Sequence, residues 1–241
     1  MQITLLRHAQ PMWTGTNGRG VTDPPLTRLG LSKASELRES LGQEPFDTIS
    51  VSPYRRCRET ADAVFPDRHK ITRDWLREIT LPDFSLTPAE QVHRYFRESK
   101  RRPLADWWDG VQGGESFRDF HQRIADGLDG YLADLGIRRM RPTCRHDRFL
   151  FEVPEEQIGK RHLIVSHLGT SGLIMSHLLH LELVPWVWES FCLDWNGVVR
   201  LETNQVADGY IFSLRKFNEY GHLDPGLDEP IVELEQSGQH C

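Results

Sequence analysis

The sequence predicts an α/β fold, a three-layer α/β/α sandwich around a mostly parallel central sheet. Three observations predict it. Apolar runs of strand length stand at residues 2–6, 48–51 and 162–166. Each is followed by a stretch whose apolar residues recur at helical spacing, at about 29–41, 53–65 and 168–181. The chain of 241 residues is 38% hydrophobic, enough for a sizeable core. Strands alternating with helices imply a parallel sheet covered on both faces, and such sheets bind ligands beyond the carboxyl ends of their strands.

The elements follow in order. Residues 2–6 form a buried strand that ends at Arg7-His8, and a loop rich in Gly, Thr and Pro runs from 11 to 25. Ser52-Pro53 directly after the second strand has the chemistry of a helix start, with Ser as cap and Pro in the first turn. A weaker strand at 69–73 ends near Leu76-Arg77-Glu78. Thr87-Pro88-Ala89-Glu90 has capping-box spacing and opens a helix to about residue 100. A further helix follows Gly114-Glu115-Ser116 and runs to about 135. Residues 136–160 read as a hairpin or a long surface loop. The last two strands are expected at about 192–203 and 209–216, with a loose acidic tail after 224. The whole of 1–241 reads as one domain, with a helical insert at about 79–113 placed over the site.

Composition narrows the function. The net charge is −6, without the basic balance of a nucleic-acid binder. No apolar run approaches the roughly 20 residues that span a bilayer, and no signal peptide is read at the start. The four cysteines, Cys57, Cys144, Cys192 and Cys241, have no Cys-x-x-Cys spacing. Reduced thiols, a cytoplasmic location and no metal site are therefore expected. The basic run Arg94, Arg97, Lys100, Arg101 and Arg102 reads as a solvated helix face, and the tryptophans at 107, 108, 186, 188 and 195 as packing.

The strand ends carry the chemistry. Arg7 and His8 lie past the first, Arg55, Arg56 and Arg58 past the second, Glu78 past the third and His167 past the fourth. These are the parts for phosphoryl transfer through a histidine. A neutral imidazole can attack phosphorus. Arginine forks hold the phosphoryl oxygens, and a carboxylic acid can protonate the leaving alkoxide. Of the arginines, Arg56 is favoured by its place near the start of the helix.

In order along the chain, the motifs resemble those of the histidine phosphatase superfamily, also called phosphoglycerate mutase-like. They are Leu6-Arg7-His8-Ala9, Pro25-Leu26-Thr27-Arg28-Leu29-Gly30, Ser52-Pro53-Tyr54-Arg55-Arg56-Cys57-Arg58-Glu59-Thr60-Ala61, Leu76-Arg77-Glu78, Gly114-Glu115-Ser116 and Val165-Ser166-His167-Leu168-Gly169. Asn218 and His222-Leu223 also fit. The resemblance implies phosphorylation of His8, proton donation by Glu78, and binding of the phosphoryl group by Arg7, Arg56 and His167. Thr14 stands where many members carry a phosphate-binding asparagine, with Asn17 as another candidate. Ala9 and Leu168 replace glycines of the pattern.

The expectation is a metal-independent phosphatase that hydrolyses a phosphate monoester and needs no cofactor. Its partner would be a small phosphorylated substrate, with neither nucleic acid nor membrane involved. The alternatives are a phosphoglycerate-type mutase and a non-catalytic phosphate-binding or regulatory module. Residues 79–88 lack the Tyr-Gly stretch and basic segment that follow Leu-x-Glu in the mutases. That difference favours the phosphatase.

Overall fold

A computed structural model describes residues 1–13, 15, 18–140 and 149–219. In chain order the elements are β1 (Gln2–Arg7), α1 (Arg28–Glu36), β2 (Thr48–Val51), α2 (Arg55–Val64), β3 (Ile71–Thr72), α3 (Ala89–Lys100), α4 (Phe117–Asp134), β4 (Arg138–Met140), β5 (Leu150–Glu152), β6 (Arg161–Ser166), α5 (Leu168–Leu178), α6 (Val187–Ser190), β7 (Val198–Val206) and β8 (Gly209–Glu219). Among the described residues the strands form one sheet in the order β3-β2-β6-β1-β7-β8-β5-β4.

The half of the sheet from β3 to β1 is parallel, as expected. The half from β7 to β4 is antiparallel. The difference follows from the connections. A helix carries the chain back over the sheet between parallel neighbours, whereas β7 and β8 are joined by a tight turn that reverses direction. The region 136–160 contributes the antiparallel pair β4 and β5, with residues 141–148 outside those described.

Strand alternation explains the two cores. Ile3, Leu5, Ile164, Val199 and Leu201 face one side and pack with Phe120, Ile124, Leu173 and Ile174 of α4 and α5. Leu6, Ile49, Val51, Leu163 and Val165 face the other side and pack with Ala34, Cys57 and Ala61 of α1 and α2. Leu5, Leu6, Ile164 and Val165 are fully buried, each stabilising the fold by about 1.5–3 kcal/mol. The central strands are thus apolar on both faces, which leaves their ends as the polar places.

Two helix starts differ in an instructive way. The helix expected after Gly114-Glu115-Ser116 is α4, and Ser116 caps it, its hydroxyl accepting from the amide of Asp119 at 3.0 Å. Ser52 does not cap α2, which begins at Arg55 after an uncapped Tyr54. The Ser52 hydroxyl is bonded to His167 instead. Among the cysteines, Cys57 is free and buried, while Cys192 is disulfide-bonded, so the expectation of reduced thiols does not hold there. No helix among the described residues is long and apolar enough to cross a membrane.

Candidate active site

The parallel half of the sheet brings its strand ends together. Arg7 is the last residue of β1 and His8 follows it. The His8 amide donates to the carbonyl of Ser166 at the end of β6 (3.0 Å), which seats His8 beside His167. The two imidazole rings lie 5.1 Å apart, centroid to centroid, in an edge arrangement. Thr60 of α2 fixes the next turn of chain: its hydroxyl accepts from the Ala9 amide (3.0 Å) and donates to the Arg56 carbonyl (2.7 Å). Arg7, His8, Arg56 and His167 are all buried.

Two neighbours determine the tautomer of His8. Nδ1 lies 2.7 Å from the Ala9 carbonyl, which can only accept, so Nδ1 carries the proton. The Arg56 Nε–H donates to Nε2 at 3.3 Å. A guanidinium can only donate, so Nε2 carries a lone pair. The ring is neutral, and its pKa lies well below the ordinary histidine value. Burial is the main cause, and the cations of Arg56 and Arg7 add to it. A buried imidazole with a lone pair on Nε2 is the form of histidine that can act as a nucleophile.

The two guanidiniums are held apart by different partners. Arg7 Nη1 donates to the Leu193 carbonyl at 2.5 Å, and its guanidinium lies 5.8 Å from the Trp195 ring centroid. Burial lowers its pKa to about 10, which leaves it charged near neutrality. Arg56 lies against two rings, Tyr54 at 4.7 Å and Trp13 at 5.1 Å. Its Nη1 is buried and makes no hydrogen bond, with the Asp23 carboxylate 3.6 Å away. A buried guanidinium nitrogen without an acceptor suits a site that receives an anion.

His167 precedes α5 at its N-cap position. Its Nε2 is 2.8 Å from the Ser52 hydroxyl and 3.4 Å from the Cys57 sulfur. Burial, then Arg56, lowers its pKa well below the ordinary value. Cys57 is a packing residue here. Burial raises its thiol pKa to about 12, so it is not a thiolate.

Glu78 follows the short 3₁₀ turn Asp74–Leu76 and rests against the start of α5. One carboxyl oxygen accepts from the Gly169 amide at 2.9 Å, and the other from the Ile79 amide at 3.0 Å. A side chain at position 169 would put its Cβ 2.6 Å from Glu78 Oε1, so anything larger than glycine there displaces the carboxyl from this position. Opposing effects act on the carboxyl. Burial raises its pKa, while the two amides, Arg56 and Arg7 lower it; burial prevails and the net shift is upward.

The structure therefore brings together Arg7, His8, Arg56, Glu78 and His167. Thr14 and Asn17 lie outside the described residues, as do His222 and Leu223. Asn218 ties β8 to the segment beside Arg7: its Oδ1 accepts from the Asp194 amide (2.9 Å) and its Nδ2 donates to the Asp194 carboxylate (2.7 Å). Sequence reasoning misses Thr60, Asp23 and Arg123, and reads Ser52 only as a helix start. Ser52 and Thr60 stand inside a quoted motif, which is the signal that marks them. Among the described residues no group of three or more His, Cys, Asp or Glu side chains could hold a metal ion.

Comparison with known proteins supplies the relationships. The chain is 27% identical over 240 residues to a probable phosphoglycerate mutase GpmB of Salmonella typhi, covering 95% of this chain and 98% of that protein. It superposes on the alpha-ribazole phosphatase of Shigella flexneri with a TM-score of 0.66 at 23% identity, covering 91% of this chain and 97% of the other. It also superposes on a phosphoserine phosphatase mutant of Entamoeba histolytica in complex with phosphoserine, with a TM-score of 0.63 at 21% identity, covering 92% and 98%. The family profile that matches residues 3–206 is that of branch 1 of the histidine phosphatase superfamily, and with the ends of β1, β2 and β6 meeting at two buried histidines, this chain belongs to that superfamily.

Proposed function

We propose that the protein is a phosphatase acting on a small phosphate monoester through a phosphohistidine on His8. The observation that carries this reading is the hydrogen bonding of His8, with Nδ1 bonded to the Ala9 carbonyl and a lone pair on Nε2. In the first step Nε2 attacks phosphorus and the ester P–O bond breaks. Glu78, whose carboxyl burial pushes toward its protonated form, gives its proton to the departing alkoxide. Arg7, Arg56 and His167 hold the phosphoryl oxygens, and Thr14 is proposed to join them from the loop after β1. In the second step water attacks phosphorus, the P–N bond breaks, and the Glu78 carboxylate takes the proton of the water. The charge on the phosphoryl group is met by arginine, so no step requires a metal or other cofactor.

We place residues 79–113 over the site, within the same domain. The insert is stitched to the loop that carries Trp13: the Gly20 amide donates to the Thr87 carbonyl (3.1 Å), the Ala89 amide to the Gly18 carbonyl (3.0 Å), and the Thr22 hydroxyl to Asp83 (2.8 Å). Trp13 in turn lies on Arg56.

The test is release of inorganic phosphate from a panel of phosphate monoesters, abolished in His8→Ala. A second reading, the mutase, is favoured by the name of the Salmonella typhi relative. Interconversion of 3- and 2-phosphoglycerate without net phosphate release would support it over hydrolysis. If the protein neither hydrolyses an ester of the panel nor traps phosphate, the non-catalytic reading replaces both.

A further inference from the structure

Arg123 of α4 uses all five of its N–H donors, three on the backbone carbonyls of residues 75–78 and two on the Glu115 carboxylate. Nε donates to Glu115 Oε1 (2.9 Å), and Nη2 to Glu115 Oε2 (2.7 Å) and to the Glu78 carbonyl (3.3 Å). Nη1 donates to the carbonyls of Trp75 and Arg77, each at 3.0 Å. Glu115 grips the same stretch from its other end. Its Oε2 accepts from the Thr80 amide (3.0 Å), and its own amide donates to the Thr80 carbonyl (2.7 Å). The pair is largely buried, with side chains 17% and 15% exposed.

Residues 77–80 lie in neither helix nor strand, so their backbone groups have no ladder to satisfy them. The Arg123–Glu115 pair takes that place at Arg77, Glu78 and Thr80. We infer that Arg123 and Glu115 are positioning residues for Glu78. They fix the backbone from which its carboxyl reaches the Gly169 amide, and so fix where its proton is delivered. The inference rests on the reading of Glu78 as the proton donor. A lysine at 123 would offer a compact ammonium in place of a planar fork, and could not bridge Glu115 and three carbonyls at once.

The test is Arg123→Lys, assayed with two esters. p-Nitrophenyl phosphate has a leaving group that departs without a proton; the alkyl phosphate turned over fastest in the panel has one that needs it. The ratio of alkyl to aryl kcat/KM is expected to fall about 10- to 100-fold, because a misplaced acid penalises only the ester that needs its proton. The alkaline limb of the alkyl-ester profile is expected to move to lower pH as the carboxyl loses its buried seat. A lowered Tm with both the ratio and the limb unchanged would overturn the inference, leaving Arg123 a structural residue. If the lysine variant does not fold, Glu115→Gln carries the same readout, with a smaller fall in the ratio expected and an unchanged ratio overturning the inference. A wild-type chain that hydrolyses neither ester sinks the phosphatase reading itself, and this inference with it.

Discussion

His8 and Arg56 share a hydrogen bond between Nε2 and Nε at 3.3 Å, so the lone pair of the proposed nucleophile is covered by a group proposed to bind its substrate. An arriving phosphoryl group must take over that donation with its oxygens before Nε2 can attack. Arg56→Met removes the donor, the cation, and the stacking on Tyr54 and Trp13. Steady-state kinetics are expected to show kcat/KM lower by about 10²–10³-fold. The His8 pKa, followed by NMR, is expected to rise, because the Arg56 cation is among the causes holding it down.

On the proposed mechanism, the raised pKa of Glu78 would set the alkaline side of activity. Activity is expected to fall as pH rises through that value, when the acid is lost. Glu78→Gln should abolish this limb and lower kcat/KM on alkyl esters by about 10²–10⁴-fold, with a smaller loss on p-nitrophenyl phosphate. Gly169→Ala tests the same carboxyl by crowding it. The clash is with the tip of the Glu78 side chain, so circular dichroism should show a folded protein while alkyl-ester turnover falls.

On the proposed mechanism, Asp23 is placed to compete with phosphate for Arg56. Its carboxylate is 3.6 Å from Arg56 Nη1 and also accepts from the Arg55 amide at 2.9 Å, at the start of α2. Asp23→Asn keeps an acceptor for that amide but removes the charge. Inorganic phosphate is expected to inhibit about two- to fivefold more tightly. Unchanged or weaker inhibition would show that Asp23 does not hold Arg56 back.

Acid should destabilise this fold at once below neutrality. The folded pKa of His8, His167 and His177 is lowered, that of His177 to about 4. Burial is the first cause in each, and His121, whose Nε2 is 3.1 Å from that of His177, adds its repulsion there. Below about 6.5 the unfolded chain binds protons that the folded chain refuses, so this contribution is present above 6.5 and is lost as pH falls. The Tm should drop between pH 7 and pH 5, and His177→Gln should flatten part of the fall down to about pH 4. A Tm that rises on acidification would contradict the assignment of neutral buried histidines.

The sequence made legible those parts of the fold whose signal is local. The runs at 2–6, 48–51 and 162–166 became β1, β2 and β6 because strands apolar on both faces need no partner to be recognised. Their ends then placed His8, Arg56 and His167 without further information. Long-range pairing was less legible. The antiparallel half of the sheet depends on how β7 and β8 return beside β1, which no local pattern encodes. Ser52-Pro53 looked like a cap because its chemistry suits one, but the hydroxyl has a competing partner in His167, 115 residues away in sequence. Arg123 carries no local signal of its role, and only the fold shows the carbonyls it meets. The isolated spacing of Cys192 gave no sign of its disulfide.

The most direct test is to quench the protein during turnover of a phosphate ester and examine the bound phosphate. The account predicts a phosphoryl group that is acid-labile and base-stable, located on His8 by peptide mapping and absent from His8→Ala. Turnover that persists in His8→Ala, or a phosphoryl group found on another residue, would contradict it.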